Sequence, residues 1–389
     1  TNFTKDKRAR FLSRAATATW DAIIITHSAF KFIGVPSAFE QQMIHDELEL
    51  YETLLTKVEG DDRVSRKRLE RLKEGLQERL EALSTRKDDL LTIAEIGVDQ
   101  IIVDEAQEFR KLSFATNMST LKGVDPNGSQ RAWDLYVKSR FIETRNPGRA
   151  LVLASGTAIT NTLGEMFSVQ RLMDHAALME RGLHEFDAWA STFGDTTTEL
   201  ELQPSGKYKP VSRFASFVNV PELIAMFRSF ADVVMPEDLR QFVKVPAIST
   251  GKRQIITSKP TQAFKHYQMV LAARIAEIEK RDRPPEPGDD ILLSVITDGR
   301  HAAIDLRLVD ADNDNEADNK LNALISNAFD IWRATAGNAY VRHDGKPFEL
   351  PGAAQMIFSD LGTISVEKSR GFSAYRWIRD ELIRMGVPA

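Results

Sequence analysis

Two short apolar runs stop abruptly at polar residues, and this pattern constrains the fold more than any other feature of the chain. Residues 100–103 (Gln-Ile-Ile-Val) end in Asp104-Glu105-Ala106-Gln107, and residues 150–154 (Ala-Leu-Val-Leu-Ala) end in Ser155-Gly156-Thr157. Short apolar runs with polar C-terminal ends, separated by helical stretches, read as strands of a parallel α/β sheet. Such sheets place ligand chemistry beyond the C-terminal ends of their strands. Residues 22–26 (Ala-Ile-Ile-Ile-Thr) predict a third strand, since a β-branched run favours a buried sheet position.

Helical spacing dominates the segment between these runs. Ile44, Leu48, Tyr51, Leu55 and Val58 form one stripe, and Leu69, Leu72, Leu76, Leu80 and Leu83 form another, with a break at residues 59–62. An antiparallel hairpin over about residues 39–91, its apolar seam closed on itself, satisfies both stripes. The charge run 63–71 reads as the solvated face of that hairpin, with nucleic-acid contact as the alternative.

Further along, residues 199–202 and 208–212 flank the turn cluster 204–206, which predicts a β-hairpin within a helical extension over 175–235. A boundary is expected between about residues 236 and 251. The second half then predicts strands at 254–257 and 355–358, and helices over 261–280, 291–308, 321–335 and 374–385. The acidic stretch 310–319 lacks the oxygen ladder of a calcium loop and reads as a solvated loop.

Composition narrows the function classes. A chain of 389 residues is long enough for two or three domains. With no cysteine, thiolate zinc sites, disulfide scaffolds and cysteine nucleophiles drop out; a cytoplasmic setting is compatible. No run of about 18 apolar residues could span a bilayer. The net charge of −5 argues against a uniformly basic coat, yet 51 Lys and Arg residues can still line a local groove. The seven histidines never fall at the i, i+4 spacing of a helical zinc site. Ala154-Ser155-Gly156 lacks the first glycine of a hydrolase nucleophile elbow.

Two adjacent carboxylates at a strand end have a use in nucleotide hydrolysis: the Asp holds magnesium and the Glu polarises the attacking water. Asp-Glu-Ala could equally open a helix, where acids suit the dipole, and Ser-Gly-Thr is a common turn. Their order and spacing are more specific together. Here the chain resembles helicase superfamily two, and within it the Swi/Snf-type DNA translocases. Asp104-Glu105-Ala106-Gln107 is similar to the Walker B box, with Gln where His is commoner. Ser155-Gly156-Thr157 is similar to the Ser/Thr-Gly-Thr motif, with Ala158 where Pro is usual. Residues 21–26 are similar to the strand preceding the Walker B region, and residues 355–360 to the motif-four strand.

Residues 186–194 and 213–223, with 129–132 and 297–300, resemble the helicase part of large phage and mobile-element proteins that also carry an N6-adenine DNA methylase. The resemblance implies two RecA-like lobes, both incomplete, at about 1–240 and 250–389. It implies ATP and Mg2+ as cofactors, with Asp104 holding the metal through water and Glu105 activating water. Gln107, Ser155, Gly156 and Thr157 would couple nucleotide state to lobe movement. Double-stranded DNA is the implied partner, with a methylase domain in the same polypeptide.

No Gly-x-x-x-x-Gly-Lys-Ser/Thr loop occurs in the sequence; Gly123 to Gln130 has Ser129 in place of the lysine. The arginine finger would fall after Ala389, and the chain starts without Met. The expectation is a central excerpt of a longer motor, inactive alone. The basic stretch containing Arg131, Lys138, Arg140 and Arg145, interleaved with Trp133, Tyr136 and Phe141, reads either as an amphipathic helix or as a DNA phosphate contact. Arg300 and Arg307 are lesser candidates. Two rivals remain: a non-catalytic scaffold of helicase shape, and the motor of a restriction system.

Overall fold

The computed structural model describes residues 7–57, 63–85, 91–118, 121–157, 159, 162, 164–203, 208–243, 247–248, 251–342 and 344–388. The expected breaks at 59–62 and 204–206, with Val58 and Ala158, lie outside the described residues. The chain divides into two compact units: Thr1–Glu201 with Lys209–Leu239, and Leu202–Tyr208 with Arg240–Ala389.

In the first unit the helices α1 (Arg8–Thr17), α2 (His27–Phe30), α3 (Ser37–Lys57), α4 (Arg63–Thr85) and α5 (Ile93–Ile96) precede strand β1 (Ile101–Val103). Helix α6 (Gln130–Glu143) leads to β2 (Leu151–Leu153), followed by α7 (Gly164–Met173), α8 (His175–Glu180) and α9 (Phe186–Phe193). Strands β3 (Gly194–Leu202) and β4 (Tyr208–Phe217), then α10 (Val220–Arg228) and α11 (Pro236–Leu239), complete it. The sequence sets several of these ends. Ser129 caps α6, its Oγ accepting from the Ala132 amide at 3.1 Å. Thr92 and Glu95 close a reciprocal capping box at α5.

Helices α3 and α4 pack antiparallel: Lys73 reaches Glu52 at 2.9 Å, and Arg79 reaches Glu40 at 3.3 Å. Their seam does not close on itself. Tyr51, Leu54 and Leu69 meet near one end, but Ile44 and Leu48, with Leu76, Leu80 and Leu83 packed alongside, join the same core as Ile101, Val103 and Trp133. The hairpin stripes are therefore wider than a two-helix seam needs, and they bury against the sheet.

A second core lies under the extension. Phe186, Trp189 and Phe193 from α9 pack with Phe167 and with Phe214 from β4. The Trp189 indole donates to Gln170 Oε1 at 2.6 Å. Strands β3 and β4 pair as a two-stranded sheet. Gly194 is obligatory there, because a Cβ would fall inside the Phe214 ring.

Residues 22–26 depart from expectation. They form no strand, although their side chains alternate between partial burial and exposure, with Ile25 packed on the core and Ile24 outside. A run of β-branched residues fixes the alternation, but a ladder also requires a neighbour.

In the second unit, α12 (Gln262–Lys280), α13 (Leu292–Ala302), α14 (Lys320–Thr335), α15 (Glu367–Arg370) and α16 (Ala374–Arg384) are formed. Leu308, Leu321, Ile325, Ala374 and Ile378 make its core. The parallel sheet expected of a second lobe is not seen: among the described residues from Arg240 onward there is no strand, and 254–257 and 355–358 are irregular. Ile255, Met356 and Phe358 are exposed there. The architecture is mixed α/β, and among the described residues the parallel ladder lies in the first unit.

Candidate functional site

Strands β1 and β2 run parallel, with Ile101, Ile102 and Val103 opposite Leu151, Val152 and Leu153. Pairing continues past both strands: the Ala154 amide donates to Val103 O at 2.8 Å, and the Ala106 amide to Ala154 O at 2.9 Å. This register brings the acidic and the hydroxyl-bearing ends together at one edge of the sheet. Asp104, Glu105, Ser155, Gly156 and Thr157 are all exposed there.

The backbone turns sharply at Glu105, whose φ of 53° and ψ of 47° lie in the left-handed region. Asp104 Oδ1 accepts from the Glu105 amide at 2.9 Å, and Glu105 heads a 3-10 turn over Ala106–Phe109. That turn sends Gln107 back toward the neighbouring strand. Gln107 Nε2 donates to Glu105 Oε2 at 2.5 Å. Ser155 Oγ donates to Gln107 Oε1 at 2.8 Å and accepts from the Thr157 amide at 3.0 Å. A continuous relay thus runs Thr157–Ser155–Gln107–Glu105. Gly156 stands in open space, where a Cβ would meet nothing within 4 Å.

His27 joins the site without having been singled out as part of it. Its Nε2 lies 3.0 Å from Asp104 O, and its ring meets Phe109 edge-on at 4.9 Å. Thr26 caps the short helix that carries it, accepting from the Ala29 amide at 3.3 Å. The only signal in the sequence was its place directly after the 22–26 run.

The site has one carboxylate suited to a metal. Among the described residues no three His, Asp or Glu side chains converge as a metal cage. Magnesium commonly uses one or two carboxylates, with water and phosphate oxygens supplying the rest. Asp104, exposed and held in place by the Glu105 amide, fits that role.

The basic candidates separate. Lys138 does not face outward to DNA: it is 1% exposed, and its ammonium donates to Phe30 O at 2.8 Å and pairs with Asp134 at 2.6 Å. A buried ammonium paired within the protein cannot reach a DNA phosphate. Arg307 is likewise buried, paired with Asp305 at 2.8 Å between the Phe372 and Trp377 rings. Arg131 is exposed but paired with Glu108. Arg140 is half-buried, Arg145 is exposed on the turn after α6, and Arg300 is exposed on α13. Trp133 and Tyr136 are buried core residues, and Phe141 is half-buried.

A family model described as "Probable helicase domain" matches residues 1–235. The chain belongs to that family. The match covers the parallel ladder, both strand tips and the β3–β4 sheet. Over 183 residues the chain is 22% identical to "Defense against restriction protein B" of Escherichia phage P1. That alignment covers 46% of this chain, and the chain spans 8% of the length of that relative. No solved structure matches. The helicase domain described here therefore has a helicase-related function and a phage-related counterpart. No helix among the described residues is long and apolar enough to cross a membrane.

Proposed function

We propose that this helicase domain carries the water-activating and coupling groups of an ATP-driven, Swi/Snf-type translocase acting on double-stranded DNA. The observation that carries this reading is the 2.8 Å bond from Ser155 to Gln107, which joins the tips of two parallel strands. Through it, a displacement of either tip is felt at the other.

Each residue has a role that follows from its position. Glu105, exposed and held by Gln107, orients and deprotonates the attacking water. Magnesium, when bound, neutralises charge on the transferred phosphoryl group, and Asp104 would hold it through water. Gln107 bonds both to Glu105 and to Ser155, so a change in the hydrogen-bonding state of one reaches the other. Ser155, Gly156 and Thr157 complete the coupling turn. Of the cations, Arg140, Arg145 and Arg300 remain as DNA phosphate contacts. The sequence holds no phosphate loop of the Gly-x-x-x-x-Gly-Lys-Ser/Thr type. We propose ATP turnover as a property of the whole protein that carries this domain, with a methylase in the same polypeptide as a further expectation.

The test is Glu105→Gln in the full-length parent. DNA-stimulated ATP hydrolysis is expected to fall about 10²-fold or more, while equilibrium binding of a fluorescent ATP analogue stays within about twofold. Unchanged turnover would remove Glu105 from the mechanism.

A further inference from the structure

A cleft of about 680 Å3 lies in the first unit, between α4 and the start of α6, and none of the strand-tip residues lines it. One wall carries Arg68, Arg71 and Arg79, whose helical spacing of three and eight residues places them along one face of α4. The other wall is the backbone of Gly128 and Ser129 leading into Gln130. Among the described residues no carboxylate lines the cleft. Glu40, bonded to Arg79 Nε at 3.3 Å, and Asp134 act on Arg79 from behind.

We propose that this cleft is an anion site that takes a phosphate group, with Arg71 as its outer contact and Arg79 as its floor.

Several independent features fit this. Arg79 is fixed by Glu40, by Gln130 Oε1 at 3.1 Å, and by the Trp133 ring below its guanidinium at 5.4 Å, so it is presented in one orientation. A fixed planar guanidinium suits the bidentate geometry of phosphate oxygens. Burial lowers the Arg79 pKa from its ordinary value, with Glu40 opposing, so an added anion is favourable there. Ser129 Oγ satisfies the Ala132 amide, and the first-turn amides of the fourteen-residue α6 add partial positive charge. Trp133, which lines the same cleft and is 3% exposed, has an indole Nε1 with no acceptor in the protein.

The walls are also shaped for access. Gly75 lies on the arginine face, and a Cβ there would meet nothing within 4 Å. A glycine in a helix interior is unfavourable, and here it leaves the wall open between Arg71 and Arg79. Gly128 is pressed against Ser113, where a Cβ would sit 2.4 Å from the Ser113 amide nitrogen. That contact fixes the opposite wall.

The phosphate could come from a small free anion or from the backbone of a nucleic acid, and the experiment separates the two. The 389-residue chain is titrated calorimetrically with pyrophosphate and, separately, with a blunt 20-base-pair duplex. Arg71→Gln and Gly75→Glu are compared with the unaltered chain. The second variant improves helix propensity while placing a carboxylate in the wall, so a loss of binding is not a loss of folding. Binding about tenfold weaker or more in both variants is expected. If pyrophosphate shows the loss, the source is a small phosphate; if only the duplex shows it, the source is a phosphodiester backbone. Failure of both probes to bind, or equal binding by both variants and the unaltered chain, overturns the proposal.

Discussion

Glu105 adopts the left-handed backbone region without being glycine, a conformation that costs roughly 1–2 kcal/mol for an L-residue. Strain of this kind collects at functional sites, and here it turns the chain so that Gln107 faces Ser155. A second residue stores a different tension. Burial first, then the cations Arg140 and Arg171 and the neighbouring His184, push the His175 imidazole down to about 3 from its ordinary 6.5. Its folded pKa lies below its unfolded one, so the unfolded chain takes up the proton first. The stability it contributes is complete above about pH 6.5 and is lost as pH falls from there toward 3. Urea midpoints at pH 7 and pH 5 should therefore fall less in His175→Gln than in the unaltered chain. Equal falls would mean that His175 titrates freely.

At the scale of elements, β1 is packed on one face only. Ile101 is 8% exposed and Ile102 is 71% exposed, although strands of parallel sheets are usually covered on both faces. Replacing Ile101 by Ala is expected to cost about 2–5 kcal/mol, and replacing Ile102 by Ala within about 0.5 kcal/mol, both read from urea unfolding. Equal costs would contradict the one-sided packing. The same comparison explains what was legible beforehand. The runs ending at Asp104 and Ser155 were readable as strands because composition and polar stops coincide, and these two runs find one another. Residues 22–26, 254–257 and 355–358 have similar runs but no ladder partner among the described residues, and pairing is a non-local fact that no single run carries. The helices over 262–280, 320–335 and 374–384 were readable because their spacing and caps are local. Lys138 was readable as a cation. That it turns inward depends on Asp134 one turn away and on the Phe30 carbonyl, more than a hundred residues earlier.

At the scale of the molecule, the described chain carries a parallel ladder in its first unit and a helical second unit, with the relay Thr157–Ser155–Gln107–Glu105 at the open end of the ladder. The resemblance placed these residues near one another in role, and the register of β1 on β2 supplies the contact. The charge run 63–71 was legible as a candidate contact, but the role of His27 and the pairing of the α4 arginines with Gly128 and Ser129 across a cleft were not, since each depends on segments brought together from distant parts of the sequence. The account rests on the two strand tips acting as one unit. A double-mutant cycle tests that most directly: Gln107→Ala, Ser155→Ala and the pair together, each in the full-length parent, read by DNA-stimulated ATP turnover. The account predicts that the double variant loses no more than the worse single variant, within about twofold, because either change breaks the same relay. Losses that multiply would show two independent sites and contradict it.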